Sequence, residues 1–180
     1  MPGFDERVEA IRKVVAAARD TGVPVVYFQE VHRADHVDFG RELDGSEGVH
    51  CLEGAADTAL DRRLLPRNDE YLITKRRYSC FFGTDFLILL RGLGAETLVL
   101  AGELTDVCVH YTFVDAHQHD YYARVVTDCV GGSTRARHEA SLDAMRYLQR
   151  DALCTSEEIV AALRALRRPA ERTAAPAASA

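Results

Sequence analysis

Short apolar runs alternate with amphipathic stretches along almost the whole chain, and this alternation limits the fold more than any other feature. In residues 5–21, Val8, Ile11, Val15 and Ala18 recur at spacings of three, four and three, one buried face of a helix, and Gly22 stops it. Residues 23–28 then read as a buried strand. Further strands are predicted over 71–74, 97–101 and 123–127, with a short last one over 152–154. Helices are predicted over 57–65, 85–91, 106–117, 136–150 and 156–166. Strands that are continuous apolar runs, alternating with helices, predict an α/β three-layer sandwich around a mainly parallel, doubly wound sheet. Its domain is expected over residues 1–166. Residues 167–180 are Ala- and Pro-rich without apolar periodicity and read as a disordered tail.

Composition removes several function classes. The net charge is −6, whereas a domain that holds a nucleic-acid backbone is usually basic, so polynucleotide binding is not expected. The longest apolar runs, such as 86–90, fall far short of the ~20 residues that span a membrane. Residues 1–7 lack the order of a signal peptide. The five cysteines are odd in number and include no C-x-x-C pair, so neither a disulfide framework nor a structural zinc site is expected. The reading is a cytoplasmic protein with mostly buried thiols. One detail of the charge count matters more. Only Lys13 and Lys75 are lysines, while arginine serves everywhere else.

In open α/β sheets, function collects at the carboxyl ends of the strands. Cys108 follows a strand and the Gly102 turn, in the first turn of a helix. A helix N-terminus favours the thiolate, the reactive form, and its N–H groups can face an oxyanion. The alternative is a small buried residue at a helix start. Lys75, directly after an apolar strand, falls at the same sheet edge, where an ammonium would lower a thiol pKa. Its alternative is a strand-end lysine reaching solvent.

These residues carry a resemblance. The run Gly102-Glu103-Leu104-Thr105-Asp106-Val107-Cys108-Val109 resembles the nucleophile motif of the isochorismatase-like cysteine hydrolases. Residues 75–85, from Lys75 through Ser79 and Phe81 to Thr84, resemble that family's lysine segment, with Phe86 at a usual Leu position. Asp115-Ala116 and Asp128-Cys129 fall where the family has similar pairs. The resemblance covers residues 5–166. It implies hydrolysis of a C–N bond in a small amide or carbamoyl compound, with Cys108 as nucleophile and Lys75 beside it. It also implies an oxyanion hole from the N–H groups of Leu104 and Cys108, a cis peptide in the Glu103–Leu104 region, and a homo-oligomer. The family's third catalytic member is an Asp at the end of a first strand. No apolar run precedes residue 5, so that strand and that Asp are expected to be missing from this sequence.

Other assignments are less constrained. Glu30, His32, His36 and His50 lie in the polar stretch 29–54 at places similar to nicotinamidase metal ligands, or else form a solvated loop. No cofactor is expected, and the metal question stays open. Arg76 or Arg77 could meet a substrate carboxylate. Tyr78, Phe81 and His110 are further candidates for the substrate pocket. Gly131-Gly132-Ser133 could cradle a phosphate but lacks a nucleotide-binding fingerprint. The main expectation is an amidohydrolase. The alternatives are a metal-containing nicotinamidase, a silent family member acting in binding or assembly, and a flavodoxin-like nucleotide binder.

Overall fold

The computed structural model describes residues 1–166. The predicted tail at 167–180 lies outside the described residues. Helix α1 (Phe4–Thr21) ends as expected, with Gly22 in the left-handed region at φ 73° and its N–H turned back to Ala18 and Arg19. Strand β1 is Val26–Glu30, shifted from the predicted 23–28. Pro24 has no N–H for a ladder and restrains the residue before it, so the strand starts late. It runs on into Gln29 and Glu30 because β2 (Tyr71–Lys75) pairs with them, Gln29 opposite Thr74 and Glu30 opposite Lys75. That extension puts a carboxylate and an ammonium side by side at the sheet edge.

The expected helix at 57–65 is instead two single 3₁₀ turns, Ala56–Thr58 and Arg62–Leu64. Asp61 accepts from the Arg63 N–H, a local bond that competes with continuous helix. The remaining elements are α2 (Phe86–Leu93), β3 (Thr97–Glu103), α3 (His110–Gln118), β4 (Tyr122–Gly131), α4 (Arg135–Leu148), β5 (Leu153–Cys154) and α5 (Ser156–Ala165). Thr134 caps α4, and Thr155 and Glu158 form a reciprocal capping box on α5.

All strand pairs are parallel, but they fall into two sheets, β1-β2 and β3-β4-β5, rather than one. Helices cover both faces, which makes the three layers. Val125 and Val126, adjacent on β4, are both fully buried and point to opposite sides. Val125 joins Leu98, Phe86, Phe113 and Met145 under α2, α3 and α4. Val126 joins Val14, Ala17, Ile159 and Leu163 under α1 and α5. The first cluster also takes in Ile73 of β2 and is packed by Phe28 of β1, so it ties the two sheets together. Truncating Phe113, 0% exposed, to Ala should cost ~3–5 kcal/mol. Among the described residues no helix is long and apolar enough to cross a membrane, and no disulfide forms.

Candidate active site

The carboxyl ends of three strands open on one cavity of about 450 Å³. β1 supplies Phe28 and Glu30, β2 supplies Lys75, and the turn after β3 supplies Leu104, Val107 and Cys108. Lys75 is 5% exposed and uses its three donors within the site. Its Nζ donates to Glu30 Oε2, to the Arg77 carbonyl at 2.9 Å and to Cys108 Sγ at 3.3 Å. The thiol in turn donates to Glu30 Oε2 at 3.6 Å. Glu30 therefore stands beside the thiol as a hydrogen-bond acceptor.

The charges set the protonation states. Burial works to raise the Glu30 carboxyl, but Lys75 and His50 outweigh it and hold Glu30 below the usual carboxylate range. Burial works to lower the Lys75 ammonium, but Cys108 and Glu30 keep it above its ordinary value. The thiol goes the other way from the sequence expectation. Burial, with Glu30 adding to it, pushes Cys108 up to about 12 although Lys75 pulls it down. The resting pair is a neutral thiol and an ionised Glu30.

Cys108 lies in a π-type turn, Thr105–Val109, where an α-helical start was expected. The Val109 N–H reaches back five residues to the Leu104 carbonyl at 3.1 Å, and such widened turns recur at functional sites. The turn is pinned on every side. Arg7 Nε donates to Glu103 at 2.6 Å. The fully buried Thr105 hydroxyl bonds His138 Nδ1 at 2.9 Å. Asp106 accepts from the Ser133 N–H at 2.8 Å and its hydroxyl at 2.6 Å. A Cβ on Gly132 would lie 2.7 Å from His138 Cβ and 2.9 Å from Asp106, so only glycine lets these segments close up. The Gly131–Ser133 loop is thus spent on the turn rather than on a phosphate. The Glu103–Leu104 peptide is cis.

Beside Glu30 sits a second group. Glu30, His32, Glu42 and His50 each offer a ligand atom, all within 4.8 Å of one another. His32 is 0% exposed and stacks on Phe39 with ring centroids 4.0 Å apart. Its Nε2 is 3.2 Å from Glu42 Oε2, and its Nδ1 is 3.4 Å from Asp38 Oδ1. Yet neither His32 nitrogen and neither Glu42 oxygen makes a hydrogen bond of acceptable geometry. Burial and the charge of Glu30 push the Glu42 carboxyl above its ordinary value. Burial alone would lower His50, but the Gly48 carbonyl and Glu30 raise it.

The structure brings Cys108, Lys75, Leu104 and Tyr78 to the cavity. It does not bring Arg76, Phe81 or His110. Arg76 bonds the Val31 carbonyl and faces Asp38, and Arg77 donates to the Asp38 carbonyl at 2.5 Å, so both guanidiniums are spent on the partly buried backbone after β1. Phe81 packs on Phe86 and Tyr121 against the core. His110 lies outside the cavity lining and meets Tyr111 edge-on. His36 lies outside the four-residue group, and Glu42 takes its place. Ser79 and Asp115 of the lysine segment and the D-A pair bond each other at 2.5 Å, so these motif residues hold the segment to α3. Sequence reading missed Glu30 as partner of the thiol, and Arg7, Glu42 and His138 altogether. Its one available signal was Glu30, two residues past the predicted end of β1 at the same edge as Lys75.

Fold and site together define an α/β enzyme with its chemistry at the strand carboxyl ends. The isochorismatase domain model matches residues 1–158. The maleamate amidohydrolase of Pseudomonas putida is 34% identical over 145 residues, 78% of this chain and 67% of that protein. The ureidoacrylate amidohydrolase of Azorhizobium caulinodans is 30% identical over 171 residues, 86% of this chain and 71% of that protein. An isochorismatase family protein from Desulfovibrio vulgaris, solved by crystallography, is similar at 30% identity with TM-score 0.79, covering 88% of this chain and 84% of that one. The chain belongs to the isochorismatase family, on its amidohydrolase side.

Proposed function

We propose that the protein hydrolyses the C–N bond of a small amide or ureido compound, with Cys108 as nucleophile and a thioester intermediate. The observation that carries this reading is the Cys108 thiol between Lys75 Nζ at 3.3 Å and Glu30 Oε2 at 3.6 Å, facing a cavity of about 450 Å³. The amidohydrolase names of the relatives support the reaction class. As sulfur attacks the carbonyl, the thiol proton passes to Glu30, which the neighbouring Lys75 keeps ionised beforehand. The developing oxyanion meets the N–H groups of Leu104 and Cys108, on the wall of the cavity. Glu30 returns the proton to the leaving nitrogen as the C–N bond breaks. Water then cleaves the thioester, regenerating the thiol and releasing the acid. Lys75 holds sulfur and carboxylate in place and offsets the negative charge. Ammonia release from a panel of primary amides and ureido acids tests the reading. Turnover by the unsubstituted enzyme and none by Cys108→Ala is expected, and equal rates from both would overturn it.

A second reading, that the site also holds a divalent cation, is favoured by the orphaned atoms of His32 and Glu42. Two imidazoles and two carboxylates are a donor set that suits zinc-class ions. Glu30 Oε1, His32, Glu42 and His50 would hold it. A bound ion would polarise a carbonyl or ionise a water. Glu30 would then join the two halves of the site, one oxygen toward the histidines and the other toward Lys75 and Cys108.

A further inference from the structure

The cavity in front of Cys108 has an unbalanced wall. Three carboxylates line it, Glu30, Glu47 and Glu103, against one ammonium, Lys75, and one imidazole, His50. Two of the three are already matched, Glu30 by Lys75 and His50, and Glu103 by Arg7 from behind. Glu47 has no ion pair among the described residues: it accepts from the Tyr78 hydroxyl at 3.3 Å, and its charge acts on His50 across the cavity. No guanidinium lines this cavity, since Arg76 and Arg77 are turned to the backbone around Asp38.

Glu47 and Tyr78 also stand at a junction. A second cavity of about 380 Å³ shares them with the first, together with Val107, and adds Tyr111 and Arg137 on its outer side. Tyr78 and Tyr111 stack there at 5.8 Å, and Arg137 is exposed at the far wall near Ser133. A substrate whose carbonyl reaches Cys108 from this side passes the Glu47 carboxylate and the Tyr78 phenol first, and only beyond them, at the outer wall, the exposed Arg137 guanidinium. A cleft with excess negative charge favours cations and repels anions.

We propose that the Glu47–Tyr78 pair selects amides whose end remote from the scissile bond carries an ammonium or another N–H donor, and disfavours those ending in a carboxylate. This rests on the hydrolase reading, in that it takes Cys108 as the place of the scissile carbonyl. A cation on Glu30, His32, Glu42 and His50 would leave Glu47 as it is.

The test separates binding from turnover. Calorimetry on Cys108→Ser protein, with chelator present, measures two series of primary alkanamides with two to five methylenes, one ending in an amine and one in a carboxylate. The best amine member should bind at least tenfold tighter than the best carboxylate member. Glu47→Gln should bring the two within about threefold, and Tyr78→Phe should shift the ratio the same way by less. Equal or tighter binding of the carboxylate series, a ratio unchanged in Glu47→Gln, or no binding by either series overturns the proposal. Ammonia release by the unsubstituted enzyme is scored separately. The expected ranking in binding without turnover of any member would overturn the hydrolase reading alone.

Discussion

The turn that carries Cys108 and the loop that carries His32 lie on either side of Glu30, and they handle their polar side chains in opposite ways. Around Cys108, Glu103, Thr105 and Asp106 each have a bonded partner, and His110 Nδ1, just past the turn, is the exception. Around His32, five buried polar atoms on three side chains, His32, Asp38 and Glu42, have none. An unmatched buried polar group costs ~1–3 kcal/mol, so the two regions cannot serve the same purpose. Saturation fixes the turn and, with it, the direction of the sulfur. The unsaturated cluster carries a cost that a bound cation would remove.

The sharpest way to break this comparison is to remove the sulfur. Cys108→Ser should lower kcat/KM by ~10³-fold or more while leaving the melting temperature nearly unchanged, because the turn keeps its bonds. Glu30→Gln should cost ~10²–10⁴-fold by removing the acceptor. Amide turnover and thermal melts on the same preparations check both. Retained turnover in Cys108→Ser would dismiss the nucleophile.

The loop should answer to metal where the turn does not. Zinc at a hundred times its dissociation constant should add ~2.7 kcal/mol of stability, read as a rise in melting temperature of several degrees. His32→Ala and Glu42→Gln should each abolish most of that rise, whereas Thr105→Val should keep it. Metal content by mass spectrometry gives the stoichiometry, expected to be one. A rise that survives in His32→Ala would mean that the orphaned atoms are not the site.

A third prediction separates catalysis from thiol reactivity at the shared residue. With the thiol pushed up to about 12, only ~1 in 10⁴ is ionised near pH 8, so alkylation of Cys108 should be slow and should rise about tenfold per pH unit. Burial and Glu30 raise this thiol and Lys75 lowers it, which fixes the signs. Lys75→Met should slow alkylation at a given pH. Glu30→Gln should speed it, in the variant whose turnover collapses. Iodoacetamide kinetics followed by mass spectrometry between pH 7 and 10 measure both. Slower alkylation in Glu30→Gln would show that Glu30 helps the thiol as a base more than its charge disfavours the resting thiolate.

The same contrast explains what the chain's letters could reveal. The layers were legible because Val125 and Val126 or Phe86 and Leu90 announce themselves by apolar pattern. Cys108 and Lys75 were legible because a strand end precedes each of them. The extent of β1 was not, since Gln29 and Glu30 are strand only through their ladder to Thr74 and Lys75. Glu42 was hidden in an acidic, Gly-rich stretch that reads as solvated, and its burial depends on a 3₁₀ turn folding under Phe39. The single doubly wound sheet was expected from alternation alone, which says nothing about whether β1 and β3 pair. His138 lies 33 residues from Thr105, and no periodicity links a helix residue to a turn that far away.

That last pair supplies the smallest and most discriminating test of the saturated turn. The Thr105 hydroxyl is fully buried, while His138 is only half-buried, so the two deletions are not equivalent. His138→Ala leaves the hydroxyl without its partner and should destabilise by ~1–3 kcal/mol. Thr105→Val removes the hydroxyl itself and frees His138 to turn to water, so it should cost ~1 kcal/mol or less. Both should lower kcat about two- to fivefold with KM unchanged, since Thr105 and His138 position the turn from behind and do not line the cavity. Denaturant melts paired with steady-state kinetics resolve the order. If Thr105→Val proved the more damaging, the turn would be held by the packing of Thr105, and its hydrogen bond would be incidental.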